Sequence, residues 1–209
     1  MLFYLAFASI IAAMIVGVVR FKHLGKAGRA LAVLCAVNCC QATASIILGA
    51  MKIRNLELIN DYRPVELTLI AAVFYLMVES MITKRILVLC VSAYVLVWIA
   101  DKIYLDDPTQ LNSRMAMLSR LIAIIMSISA LYSEIVTSEG VFFKYPLFWV
   151  GASVLLYSSG TLLILGWSNQ LTGSSRATFI SAWHINWLLL IVANLLYIKG
   201  LLCKPQRPM

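Results

Sequence analysis

The chain has 209 residues, of which 62% are hydrophobic and only 12% charged, and its mean hydropathy is +0.92. That is more apolar side chain than one soluble core of this size could cover, so the expected class is an all-α polytopic membrane protein. Several spans of about 20 residues each leave no room for a separate catalytic domain. The net charge of +8 does not point to nucleic acid, because the Lys and Arg residues sit mainly between apolar runs, where they set orientation.

In chain order, the apolar runs predict seven spans in a single membrane domain, at about 1–19, 31–51, 65–82, 86–105, 115–136, 146–167 and 177–198. The first has no positive segment before it and RFKHLGKAGR straight after it, which suits an uncleaved span with its N-terminus outside. KIRNLELINDYRP reads as a polar connection ending at Pro64, a proline tolerated at the start of the third helix. Only Thr83, Lys84 and Arg85 separate spans three and four, so these form an antiparallel hairpin. DDPTQLN, TSEGVFFKY and SNQLTGSSR break the remaining spans, and GLLCKPQRPM is a short basic tail.

Seven spans place the termini on opposite sides. One side holds Arg20, Lys22, Lys26, Arg29, Lys84, Arg85, Lys144, Lys199, Lys204 and Arg207, ten cations against seven on the other. The densest cluster follows the first span, where the positive-inside rule carries most weight, so the C-terminus is expected in the cytoplasm and the protein in the plasma (inner) membrane.

Residues expensive to place in lipid carry whatever chemistry the protein has. At about 100° per residue, Trp183, Asn186, Trp187, Leu190, Asn194 and Tyr197 share one broad face of span seven. Span two offers Asn38, Gln41 and Ser45; span three Thr68, Tyr75 and Glu79; span four Tyr94, Trp98 and Asp101. Span five lines up Arg120, Ile124, Ser127, Leu131 and Glu134, and span six Trp149, Ser153, Tyr157 and Gly160.

Sorted by side, these faces predict a cavity open to the outside, rimmed by aromatics and floored by amides. Trp183, Asn186, Trp187, Tyr157, Trp149, Asp101 and Arg120 are the candidate ligand-binding residues. Glu79, Asn194, Tyr197 and Glu134, toward the inside, are the candidates for coupling. The plainer readings are that the amides are interhelical glue, at about 0.6 kcal/mol per hydrogen bond, that the tryptophans form an interfacial belt, and that Arg120 snorkels outward.

Enzyme signatures are missing: there is no H-E-x-x-H, G-x-S-x-G or P-loop. The five cysteines show no metal spacing, and the two histidines, His23 and His184, fall near opposite faces, so no metal or cofactor is expected. The last span has no mid-helix lysine for a retinal Schiff base, Lys199 standing at its end.

Pro146, Phe148, Trp149, Tyr157, Ser159 and Gly160, then Ser168 and Asn169, then Trp183, Asn186, Asn194, Leu196 and Tyr197 form a pattern along spans six and seven. This stretch, about a quarter of the chain, resembles the end of the seven-helix sensory regions of bacterial, notably Bacteroidota, membrane sensors related to histidine kinases. The resemblance implies a stand-alone sensory module, since no kinase follows span seven and the signal must pass to another protein. The expected function is therefore a non-enzymatic module that binds a small molecule or lipid and acts through a membrane or cytoplasmic partner. The alternatives are a small transporter or channel subunit, or a structural subunit of a larger membrane complex.

Overall fold

The computed structural model describes residues 1–105, 111–137, 142–166 and 176–203. Among them are seven long helices: α1 (Leu2–Arg20), α2 (Lys26–Ala50), α3 (Leu56–Met77), α4 (Met81–Tyr104), α5 (Ser113–Thr137), α6 (Pro146–Gly166) and α7 (Arg176–Leu202). Two short 3-10 turns, Phe21–His23 and Phe142–Lys144, precede α2 and α6. Helices suit this composition because each satisfies its own backbone hydrogen bonds without water. All but α3 are long and apolar enough to cross a membrane, which makes the chain a multi-pass helical membrane protein.

The helices form a ring in chain order, closed by α1 packing on α7, while α3 reaches past α4 to pack directly on α5. The upper end of the bundle is the one at which α1 begins, and the lower end is the one at which it stops. α4 is the most peripheral helix, exposing Val88, Leu89, Leu96 and Ile103. The outer surface is aliphatic, whereas Arg120, Glu134, Ser127 and Asn194 are buried inside, the arrangement that hydrocarbon solvent favours. The lower half of the bundle is filled by one contiguous core that includes Leu31, Phe74, Met77, Met126, Leu147 and Leu201.

Two helix boundaries differ from the sequence expectation. The segment read as a polar connection up to Pro64 is helical from Leu56, so Pro64 lies inside α3 and not at its start. Proline removes the N–H that would bond the Asn60 carbonyl, a cost of about 3 kcal/mol in a helix interior. The turn persists because its side chains are held by other helices: the Tyr62 hydroxyl donates to Asn38 Oδ1, and the Asn60 Oδ1 accepts from the Asn112 N–H at 3.1 Å.

The turn between α3 and α4 is also displaced. It consists of Val78, Glu79 and Ser80, with Thr83, Lys84 and Arg85 inside the first turns of α4. Ser80 supplies the cap, its Oγ accepting from the Thr83 N–H at 3.3 Å. Lys84 then lies 5.3 Å from the Tyr75 ring centroid, so a charge that read as loop is accommodated on a helix.

Close helix approach depends on small residues. A Cβ built on Gly17 of α1 would stand 3.0 Å from Ala32 Cβ and 3.1 Å from Ala32 Cα in α2, where backbone and not a flexible side-chain tip would have to move. Gly17→Val is therefore expected to cost about 1–3 kcal/mol, read as a lowered unfolding temperature in detergent, whereas Gly49→Val, where a Cβ meets nothing within 4 Å, should cost clearly less.

Candidate functional site

An ion-pair knot ties three helices together. Arg120 of α5 donates from Nη1 and Nη2 to the two carboxylate oxygens of Glu66 on α3, both at 3.1 Å. Its guanidinium also lies 4.8 Å from the ring centroid of Tyr157 on α6. The Arg120 side chain is 5% exposed and that of Glu66 14%, so this is a forked, nearly dry pair. Arg63, one turn before Glu66, approaches the same carboxylate only to 3.8 Å. Arg120 thus does not snorkel to the surface.

Beside the knot lies a cavity of about 600 Å³ in the upper half of the bundle. α7 lines it with Trp183, Asn186, Trp187, Leu190, Asn194 and Tyr197, the same face that helical periodicity selects, over about 21 Å of helix. The adjoining α1 adds Phe3, Phe7 and Ile10, and α2 adds Asn38, Gln41 and Ser45. Tyr62, Arg63 and Glu66 of α3, Arg120 of α5 and Tyr157 of α6 complete the polar side.

Some of the amides are bound to neighbouring helices and others are not. The Asn194 Nδ2 donates to Ser9 Oγ of α1 at 3.1 Å and to the Leu190 carbonyl at 2.9 Å, so it is both floor and interhelical tie. Gln41 donates to Ser45 Oγ at 3.0 Å within α2. Asn186 faces the cavity without a hydrogen bond to any described residue. Trp187 is oriented by edge contact with Phe3, with centroids 5.7 Å apart, and by His184 at 5.3 Å.

Asp101 belongs to a different structure, a clamp above the cavity. It is 5% exposed, accepts from the Asn112 side-chain amide and lies 3.5 Å from Arg114. Lys102 pairs with Asp61 at 3.0 Å close by. The clamp ties the end of α4 to the start of α5 and to α3, and Arg63 borders both it and the cavity.

The structure thus brings Trp183, Asn186, Trp187, Tyr157, Arg120, Asn194 and Tyr197 to one cavity and leaves out four of the residues singled out by sequence. Trp149 sits at the lower end, its indole N–H donating to the Phe143 carbonyl at 2.8 Å and Lys199 lying 5.8 Å from its ring centroid. Glu79 is exposed in the turn between α3 and α4. Glu134 is buried about 21 Å farther along α5 than Arg120, and Asp101 is in the clamp. Thr68, Tyr75 and Glu79 are exposed rather than inward, with the Thr68 hydroxyl satisfied by the Pro64 carbonyl of its own helix at 2.7 Å. Ser168 and Asn169 lie outside the described residues.

Glu66, Arg63 and Tyr62 are the residues whose importance the apolar-run reading understated, since they fall where a span was expected only to begin. The signal for them is the spacing of Arg63 and Glu66, one helical turn apart in a stretch that is otherwise turning apolar. Among the described residues no cluster of His, Cys, Asp or Glu could hold a metal ion. No protein-family model, curated protein or solved structure matches the chain.

Because one carboxylate serves two guanidiniums, the knot is asymmetric. Glu66→Leu strands both cations and is expected to cost about 3–5 kcal/mol of stability. Arg120→Met should cost less, since Arg63 stands close enough to take over the carboxylate. Denaturation of the two variants in the same detergent compares them, and equal losses would contradict this account of the knot.

Proposed function

We propose that the chain is a non-enzymatic seven-span module of the plasma (inner) membrane that binds an amphipathic small molecule or lipid and acts through a partner protein. The observation that carries this reading is the cavity: about 600 Å³, in the size range of small-molecule sites, with an apolar and aromatic lining among which amides and the charges of Arg63, Glu66 and Arg120 converge. In this reading α3 is the seventh span. Its hydropathy is lowered by Glu57, Asp61, Arg63 and Glu66, but the last two are turned into the bundle and so face no lipid.

Arg20, Lys22, Lys26, Arg29, Lys84 and Arg85 gather at the lower end, which supports a cytoplasmic position for that end and an outward-facing cavity. The loops of the lower end are then the surfaces that a partner would read, consistent with the resemblance to kinase-related sensory regions. A transporter reading draws on Arg63, which borders both the upper clamp and the cavity. Below the Asn194 and Tyr197 floor, however, Phe74, Met126, Leu147 and Leu201 pack the bundle shut, which favours holding a molecule over passing it.

Native mass spectrometry of the protein released from lipid nanodiscs tests the reading. A discrete amphiphile bound one per chain is expected, and Asn186→Leu should weaken its retention about 2- to 10-fold, the worth of one hydrogen bond, with little change in unfolding temperature. An empty protein, or an Asn186→Leu variant that loses stability while keeping its ligand, would show the polar face to be interhelical glue. A photocrosslinker placed at Arg85 should capture the same partner protein in cells repeatedly; the absence of any crosslink would remove the signalling half of the proposal.

A further inference from the structure

We infer that the occupant of the cavity is an amphiphile bearing a single negative charge, with its head group held by Arg63 and Arg120; this deepens the ligand-site reading above and rests on it. The knot holds two guanidiniums and one carboxylate, and both oxygens of that carboxylate are engaged by Arg120 at 3.1 Å. Arg63 stays 3.8 Å from Glu66, beyond hydrogen-bond distance, and makes no hydrogen bond to any described residue. The Nε atoms of Arg63 and Arg120 are both buried without a partner among the described residues. Among the described residues, the other acids near Arg63 are committed elsewhere, Asp61 to Lys102 at 3.0 Å and Asp101 to Arg114 at 3.5 Å.

A guanidinium removed from water with its donors unmet is costly, and the group that meets them best is a planar or tetrahedral anion. The excess at the knot is one positive charge, so one negative charge on the ligand completes it and a dianion would reverse the imbalance. The apolar part of the lining, Phe3, Phe7, Ile10, Trp183, Trp187 and Leu190, fits an apolar body, and among the described lining residues Arg63 and Arg120 are the only cations. Such a molecule could arise from the membrane as a fatty carboxylate or from solution as an aromatic carboxylate; the chemistry recognised is the same.

The test is binding to the purified full chain in nanodiscs of zwitterionic lipid, read by native mass spectrometry, with two matched pairs: dodecanoate against dodecanamide, and naphthoate against naphthamide. At least one carboxylate is expected to bind about 10-fold or more tightly than its amide; dodecanoate alone would mark a lipid-derived ligand, naphthoate alone a dissolved one, and either supports the inference. Arg63→Gln, which keeps the Arg120–Glu66 pair and makes the knot neutral, should erase most of that preference. Glu66→Gln should enlarge it, and if that variant does not fold, Arg63→Gln decides. An amide that binds as well as its carboxylate, or a preference unmoved by Arg63→Gln, overturns the inference while leaving the cavity a ligand site. If none of the four binds, the ligand-site reading falls with it.

Discussion

The structure depends on one constraint: an ion pair inside an apolar bundle must be satisfied by the protein. Glu66 and Arg120 lie 54 residues apart in the chain, on different helices, and meet at 3.1 Å with their side chains largely buried. Separating them would leave charges in a medium that solvates them poorly, so α3 and α5 are locked in register, and Tyr157 brings α6 to the same point. That register explains why α3 continues through Pro64. The turn that the proline weakens carries Arg63 and sits directly before Glu66, and unwinding it would move both.

Around the knot the bundle divides into two unlike halves. Below, large aliphatic side chains and Phe74 interdigitate in one core. Above, amides, hydroxyls, tryptophans and charges stand among the phenylalanines and aliphatic residues of the lining, several of the polar groups are fixed by specific partners, and a cavity is left between them. Asn194 tied to Ser9, Tyr62 tied to Asn38 and Ser153 donating to the Ala193 carbonyl at 2.8 Å fix the walls. These directional bonds hold the walls, aliphatic parts included, in place around the cavity. The glue and pocket readings of the polar faces are therefore not alternatives residue by residue: Asn194 is a tie that also forms a floor, while Asn186 has only the cavity to face.

Periodicity made much of this legible. The face from Trp183 to Tyr197 lines the cavity as a unit, and the rows on α4 and α5 are buried at Tyr94, Asp101, Arg120, Ser127 and Glu134 and half-buried at Trp98, Ile124 and Leu131. Polarity alone misled where a side chain could be satisfied locally or outside the bundle: Thr68 bonds its own helix and Glu79 is exposed in a turn, so neither marks an interior face. Trp149 failed for the opposite reason, since an aromatic near a helix end serves the lower rim, through Phe143 and Lys199, as readily as a binding site.

The sequence by itself determined the solvent and the element type, because runs of about 20 apolar residues can satisfy their backbone only as helices in a bilayer. It also determined which face of α7 is special, since that depends only on the angle between successive residues. Which charges meet was decided by the tertiary structure. Asp101 and Arg120 look alike as isolated polar residues in apolar runs, yet one is absorbed into a clamp with Arg114 and Asn112 while the other binds Glu66 beside an open cavity. Burial and pairing are properties of the packed ring, and a linear pattern does not contain the distances on which they depend.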